Sequence, residues 1–269
     1  MIFASFSGYG FNDFFFHKGK PSIFFAVQLG MLVGALFFLA YFVKAKSKKL
    51  NIEREPIKSW VPSILLLLMV AGLAIASFFH AGVSFISGSL VMGLGIAGLL
   101  WYLFIRKESK KDTWNLVKGL DWDTILFLIG IFIVVGALAS VGLLEDFSIF
   151  LSGIIGNSAL LGFIVIVIVS MLISGFVDNV PYIIIMLPVA AKLTAGLGIQ
   201  AELFMFGLLV GSCLGGNLTP FGASANVVAI GMLKKQGYET NFMDWLKIGL
   251  PFTLLTTAAS AAFVYFVWR

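Results

Sequence analysis

Long apolar stretches separated by short polar segments run along most of this chain. Five of them hold about the 20 apolar residues that a helix needs to cross a bilayer core, and they are residues 22–43, 61–79, 89–105, 124–144 and 245–268. Residues 142–158 instead mix polar and apolar side chains, which predicts an amphipathic helix along the membrane interface. The pattern therefore predicts an all-α, polytopic membrane protein.

A first polar break, with the sequence SGFVDNVP at 174–181, interrupts an apolar region that begins at residue 159. The apolar piece after it, 181–191, provides only about 16 Å of helix, which cannot cross a core about 30 Å thick. This length predicts a re-entrant helical hairpin with its tip inside the membrane. Two full crossings are the alternative, and the charge pattern does not separate the two because both put the flanks on the same side.

The predicted tip has the chemistry of an ion site. Asp178 or Asn179 can cap the second arm, and Pro181 suits its first turn. The partial positive charge of that helix end and the carbonyl end of the first arm would then point to the bilayer centre. An acidic residue such as Asp178 is costly inside an apolar region, so it is a functional candidate. The alternative is a helix cap beside a water-filled surface.

A second polar break follows an apolar piece at 203–215. Four residues there argue against a continuous helix, namely Gly215, Gly216, Pro220 and Gly222. Unwound backbone at membrane depth is tolerated where it is buried in protein or lines a cavity. The side chains that can bind a solute there are Asn217, Thr219, Ser224 and Asn226. Freed carbonyls can coordinate sodium, which we place near Asp178, Asn179 and Asn217. The alternative is a kinked helix whose polar groups satisfy its own backbone.

Composition and charge agree with residence in a membrane. Hydrophobic residues make up 60% of the chain and charged residues 12%, whereas soluble domains carry about 25% charged residues. The net charge of +5 does not indicate nucleic acid binding, because 14 of the 18 Lys and Arg residues lie in three loops, 44–60, 106–123 and 234–247. The positive-inside rule places these loops in the cytoplasm. Residues 1–21 and the C-terminus then lie outside the plasma or inner membrane.

Other features have simpler interpretations. Five tryptophans lie near predicted helix boundaries, as an aromatic belt requires, and they are Trp60, Trp101, Trp122, Trp245 and Trp268. An enzyme is not expected, since the sequence has no second intramembrane carboxylate, no plausible Ser–His pair and no HExxH motif. No cofactor is expected apart from sodium or a proton as a coupling ion.

Three segments resemble the ion transporter superfamily. They are GLDWDTILFLIGIFIVVGAL at 119–138, SGFVDNVPYIIIMLP at 174–188 and GGNLTPFGASANVVAIGM at 215–232. This superfamily includes arsenite permeases, NhaD-type sodium/proton antiporters, relatives of the melanocyte P protein, citrate permeases and divalent anion/sodium symporters. The resemblance implies two inverted repeats, each with one re-entrant hairpin and one broken helix. Residues 22–43 would be the last helix of an incomplete first repeat, 44–60 a cytoplasmic linker and 61–269 the second repeat.

The resemblance implies half of a secondary transporter, which moves a small inorganic ion or an organic anion coupled to sodium or protons. The symporter branch typically carries Ser-Asn-Thr at its hairpin tips, whereas this tip reads Asp-Asn-Val-Pro at 178–181. That difference favours the arsenite permease or sodium/proton antiporter branch. The expected partners are the lipid bilayer and a first-repeat half from another chain. The complete transporter can also form a homodimer. The alternative function is a non-transporting remnant or a partner subunit of a split transporter.

Overall fold

A computed structural model describes residues 2–43, 59–79, 84–105, 110–119, 122–235, 237 and 240–269. Over these residues the chain is helical apart from turns and one small hairpin. The α-helices, numbered in chain order, are Ile2–Ser7 (α1), Ile23–Phe42 (α2), Val61–Phe79 (α3), Ser84–Leu100 (α4), Lys110–Lys118 (α5), Trp122–Ser140 (α6), Leu143–Ile155 (α7), Ala159–Ser174 (α8), Asn179–Leu197 (α9), Ala201–Gly215 (α10), Ser224–Lys235 (α11) and Phe242–Trp268 (α12). The remaining elements are a 3-10 turn at Phe11–Phe14, the strands Phe16–His17 (β1) and Lys20–Pro21 (β2), and a π-helical turn at Trp101–Ile105.

The apolar pattern predicts most of these helices correctly. The bounds of α3 are those of the predicted stretch, and α2 differs from its stretch by one residue at each end. Among the described residues, the helical segments long and apolar enough to cross a membrane are Ile23–Phe42, Gly88–Ile105, Asn179–Leu197 and Phe242–Trp268. The prediction of an all-α membrane protein is confirmed, and so is a separate helix, α7, in the mixed stretch.

The predicted short arm at 181–191 is wrong. It is part of α9, which has 19 residues and is about 28 Å long. The helix continues beyond Ala191 through residues that all accept helical geometry, and it ends where Gly198 adopts the left-handed conformation with φ 67°. The length argument for a re-entrant hairpin therefore fails, and the hairpin stays a prediction that needs other support.

The predicted charged loop at 106–123 also contains a helix, α5. The Lys118 ammonium lies 5.8 Å from the ring centre of Trp114, one helical turn earlier, and such pairs stabilise a short helix. The three loops predicted to be cytoplasmic are described only in part. Their residues outside the described ranges are 44–58, 106–109, 120–121, 236 and 238–239. The repeat boundaries after residues 21, 43 and 60 stay predictions.

The chain forms two compact units. One unit comprises Met1–Phe14 and Ala45–Ile129, and the other comprises Phe15–Lys44 and Gly130–Arg269. In the first unit, α3 packs on α4 and on the 3-10 turn, where the Asn12 amide donates a hydrogen bond of 3.3 Å to the carbonyl of Ala74. The second unit holds both polar breaks.

Glycines let α8 and α10 of the second unit pack backbone to backbone. They recur at every fourth position of α10, as Gly207, Gly211 and Gly215. A Cβ atom on Gly211 would lie 2.5 Å from the carbonyl oxygen of Val167, and one on Gly215 would lie 2.5 Å from that of Met171. Close approach of this kind is typical of small residues at membrane helix interfaces. It brings the C-terminal ends of α8 and α10 side by side.

The long helix α12 packs against both α2 and α10. The buried Ser260 hydroxyl donates a hydrogen bond of 2.9 Å to the carbonyl of Ala26 in α2. At the end of α12, the Trp268 ring packs edge to face on Phe206 of α10, with ring centres 5.3 Å apart. These contacts fix α12 along α10, the helix that precedes the second break.

Candidate functional site

Both predicted breaks are present in the second unit. The first is residues 175–178, between α8 and α9, and the second is residues 216–223, between α10 and α11. Helix α10 ends in two consecutive glycines, Gly215 and Gly216, and Pro220 in the second break has no amide hydrogen to donate. The sequence signals for these two interruptions are therefore confirmed.

The two breaks interlock through backbone groups. The buried hydroxyl of Thr219, in the second break, donates a hydrogen bond to the carbonyl of Gly175 in the first. Gly222 faces the same region: a Cβ atom there would lie 2.6 Å from the carbonyl oxygen of Gly216, 2.8 Å from that of Gly175 and 3.0 Å from that of Ser174. Three carbonyl oxygens from the ends of α8 and α10 thus converge on one glycine.

Side chains near the helix ends hold this arrangement. The Ser174 hydroxyl donates a hydrogen bond of 2.7 Å to the carbonyl of Ser212 and so ties the last turn of α8 to α10. The Asn226 amide of α11 donates to the carbonyls of Gly216 and Thr219, at 2.9 and 3.2 Å. The Asn226 side chain therefore spans the second break and fixes its path.

The other predicted site residues lie around this centre. Asp178 is exposed, and its Oδ1 accepts a hydrogen bond of 2.9 Å from the backbone N–H of Val180, so it caps α9. The half-buried Asn179 donates a hydrogen bond of 3.7 Å to the sulfur of Cys213 in the last turn of α10. Ser224 begins α11, but its side chain lies outside what the structure describes.

Asn217 contacts both α10 and α12. Its side-chain amide donates a hydrogen bond of 3.2 Å to the carbonyl of Leu214 in α10, and its backbone carbonyl accepts one of 3.1 Å from the indole N–H of Trp245 in α12. A Cβ atom on Gly249, one turn after Trp245, would lie 2.7 Å from that same carbonyl oxygen. The structure thus brings Thr219, Asn226 and the first break together, while Asn217 joins the second break to α12.

Trp245 is a site residue that the sequence reading misses. Its place near a helix boundary suggests only an aromatic belt, since a tryptophan at such a place usually marks the membrane interface. The contact with Asn217 connects residues 28 apart in the chain, and only the tertiary packing reveals it.

A cavity of about 550 Å³ opens beside the second break. Its lining combines amide, aromatic and aliphatic side chains with one carboxylate, and consists of Phe38, Asn217, Asn226, Thr240, Asp244, Trp245, Ile248, Gly249 and Phe252. Asp244 forms an ion pair of 2.9 Å with Lys247. The cavity extends from the N-terminal end of α12 to the side chains of Asn217 and Asn226.

The available ligands are those of a hard cation. Within the described residues there is no group of three or more His, Cys, Asp or Glu side chains arranged to hold a metal. The groups that converge are backbone carbonyl oxygens and the hydroxyl of Thr219, and alkali cations prefer such oxygen ligands to nitrogen or sulfur. Helix C-terminal ends, such as those of α8 and α10, add partial negative charge.

Replacing Trp245 by phenylalanine should remove the indole N–H bond to Asn217 and keep most of the ring packing. We expect the free energy of unfolding to fall by about 1 kcal/mol, the usual net value of one hydrogen bond. The measurement is unfolding of the purified protein in detergent. Trp60, 65% exposed, supplies the matched Trp→Phe control; equal effects of the two substitutions would contradict the role of Trp245.

Comparisons with known proteins find one matching family and several related membrane proteins. The citrate transporter (CitMHS) family matches the chain over residues 1–211 and 151–269. A 46 kDa membrane protein of Mycobacterium leprae is 34% identical over 276 residues, which cover 98% of this chain and 61% of the relative. An uncharacterized transporter of Mycobacterium tuberculosis is 31% identical over 280 residues, covering 100% and 63%. The P protein of Homo sapiens is 31% identical over 231 residues, covering 81% and 27%.

The chain spans less than two thirds of the length of the mycobacterial relatives. No solved structure matches it significantly.

Proposed function

This chain belongs to the citrate transporter family, and from that premise we propose that it forms the site-bearing half of a membrane secondary transporter. The transported solute is a small inorganic ion or an organic anion, and its movement is coupled to sodium or to protons. Within the wider superfamily we favour the arsenite permease or sodium/proton antiporter branch, because the tip at 178–181 lacks the Ser-Asn-Thr motif of the symporters.

The interlocked breaks carry this proposal. Backbone interrupted at two places costs hydrogen bonds, and a membrane protein retains such interruptions where they line a site. Here the carbonyls of Ser174, Gly175 and Gly216 and the hydroxyl of Thr219 converge at the contact between the breaks. We assign the coupling cation to this region, with Asp178 and Asn179 at its edge and Asn217, Ser224 and Asn226 shaping the solute side.

The depth of the second break supports a site within the membrane. Along α12, Gly249 contacts the break about 10 Å from the start of the helix and about 28 Å from its end. The break therefore lies within the length of a membrane-crossing helix, nearer to its N-terminal end. The cavity of about 550 Å³ at that end would be the route from the side predicted to be cytoplasmic.

We also retain the re-entrant hairpin as a proposal, now on different grounds. Helix α8 has 16 residues, about 24 Å, and α10 has 15 residues, about 22 Å. Both are shorter than a bilayer core of about 30 Å, and their C-terminal ends meet at the breaks. A tip that ends inside the membrane accounts for both lengths, and movement of this tip would provide alternating access.

Replacing Asp178 by asparagine tests the function. The purified chain is reconstituted into liposomes, and uptake of radiolabelled citrate, arsenite and sodium is measured under sodium and proton gradients. We expect coupled uptake of one of these probes, and uptake at least about tenfold slower in Asp178→Asn, because the exposed carboxylate at the tip is lost while asparagine can still cap α9.

Asp146→Asn, at an exposed position of α7, is the matched control and should transport normally. If Asp178→Asn still shows coupled uptake at the wild-type rate, the Asp178 carboxylate is not required for transport. Absence of uptake with all three probes would favour the alternative, a non-transporting remnant or a partner subunit. Recovery of uptake on adding a chain that supplies the first repeat would identify a split transporter.

A further inference from the structure

A buried carboxylate outside the candidate site binds the short hairpin that precedes α2. Glu202 lies in the first turn of α10 and is 5% exposed. Its Oε1 lies 2.5 Å from the ammonium of Lys18 and 3.3 Å from Nε2 of His17. Lys18 and Gly19 form the turn between β1 and β2, both with positive φ. The hairpin thus holds two basic groups against one acidic oxygen.

The same hairpin has a second anchor on α12. The Lys20 ammonium donates a hydrogen bond of 3.0 Å to the carbonyl of Val267 and lies 5.2 Å from the ring centre of Trp268. A cation at a helix C-terminus and a carboxylate at a helix N-terminus are both stabilised by the helix dipoles. The hairpin therefore connects the end of α12 to the start of α10 through complementary charges.

The two sides of the Glu202 ion pair differ in their access to water. The Lys18 side chain is 58% exposed, whereas that of Glu202 is 6% exposed. If Glu202 gains a proton, Lys18 can return its charge to water at little cost, while a neutral carboxyl group tolerates burial much better than a carboxylate does. Glu202 is the one acidic side chain that is buried among the described residues. We therefore expect protonation of a buried carboxylate to affect this ion pair with Lys18 and not contacts elsewhere.

We propose that Glu202 is a proton-binding site that controls the docking of the hairpin Phe16–Pro21. With Glu202 ionised, the hairpin is held on α10 and α12; when the carboxyl group takes up a proton, the contacts with Lys18 and His17 are lost and the hairpin releases. The site lies on the side of the membrane predicted to be outside. It is separate from the interlocked breaks, and it stands whether or not the chain transports a solute.

The other charged and titratable groups near this end of the second unit have different contacts. On α9, Lys192 forms an ion pair of 2.8 Å with Glu145 of α7. The Arg269 guanidinium lies over the rings of Tyr265 and Phe266. Farther away, at the N-terminal end of α12, Asp244 and Lys247 pair with each other.

Ser22 provides a reporter for release of the hairpin. It is fully buried directly after β2, and its backbone N–H donates a hydrogen bond of 2.8 Å to the carbonyl of Phe15 across the base of the hairpin. The chain has one native cysteine, Cys213. A Ser22→Cys substitution in a Cys213→Ser background therefore places a single thiol under the hairpin with little change in volume.

The experiment measures labelling of this thiol by a water-soluble methanethiosulfonate in detergent, from about pH 7.5 to about pH 4.5, a range that brackets carboxylate titration. Rates are divided by those of Asn157→Cys in the same background, because thiol reactivity itself falls with pH. Asn157 is an exposed turn position before α8. We expect the ratio to rise at least about tenfold on acidification, as a buried contact opens.

Glu202→Gln should give a high ratio at every pH, since the amide cannot restore the ion pair. His17→Gln should keep the pH response, because the ion pair between Glu202 and Lys18 remains. A wild-type ratio that does not change with pH would overturn the proposal. So would a pH response that persists in Glu202→Gln, or one that disappears in His17→Gln. Unfolding in detergent checks that each variant is folded.

Discussion

Replacing Gly215 by alanine is expected to lower the free energy of unfolding by about 2 kcal/mol or more, the usual range for forcing an extra group into a close-packed interface. The added Cβ would lie 2.5 Å from the carbonyl oxygen of Met171 and 2.7 Å from its Cα. Both atoms belong to the backbone of α8, so a change of rotamer cannot relieve the contact. The two helices must move apart along their whole interface. Unfolding of the purified protein in detergent measures the loss.

The matched control is Gly196→Ala in α9. A Cβ atom there would meet nothing within 4 Å, and alanine is the better helix former by about 1 kcal/mol. We therefore expect Gly196→Ala to be neutral or slightly more stable than wild type. Similar unfolding curves for the two variants would refute the backbone contact between α8 and α10.

The sequence predicts where membrane helices form more reliably than what they contact. The bounds of α3 and the existence of both breaks follow from local signals, because apolar length and the Gly and Pro residues act within a few positions. The end of α9 is missed because Lys192 looks like a loop residue, whereas its ammonium pairs with Glu145 and its backbone continues the helix.

The acidic residues illustrate what depends on tertiary structure. Asp178 stands in an apolar region of the sequence, yet its side chain is exposed and caps α9. Glu202 directly precedes the predicted apolar piece at 203–215, yet it is buried beneath a hairpin whose Lys18 lies 184 positions earlier in the chain. Hydropathy along the chain cannot separate these cases, because burial of one side chain depends on which distant segment covers it.

The candidate site is predictable in its parts but not in its assembly. Thr219 and Asn226 are candidates because they are polar residues in an apolar region. That Thr219 bonds to Gly175 in the other break, and that Trp245 bonds to Asn217, follow from the packing of α10 on α8 and α12. The glycine spacing of α10 is visible in the sequence, but the helix that it faces is not.

Replacing Gly222 by alanine should strongly slow the proposed transport and have a small effect on the rest of the second unit. Its Cβ would lie within 3.0 Å of the carbonyl oxygens of Gly216, Gly175 and Ser174, all of them backbone atoms. The two breaks would have to separate, and displacement of a site by about 1 Å can cost a hundredfold in rate. We expect uptake of the probe that the wild-type chain transports to fall about a hundredfold, measured in the same liposomes as Asp178→Asn.

Gly231→Ala in α11 makes the same chemical change at a position where a Cβ atom would meet nothing within 4 Å, and it should transport at the wild-type rate. Because the contacts of Gly222 lie at the ends of α8 and α10 and not along their interface, the unfolding midpoint of Gly222→Ala should stay closer to wild type than that of Gly215→Ala. Loss of uptake by a variant that still folds would show that the second break forms part of a transport site and is not only a kink in the helix. Normal uptake by Gly222→Ala would mean that the convergent carbonyls do not form the ion site.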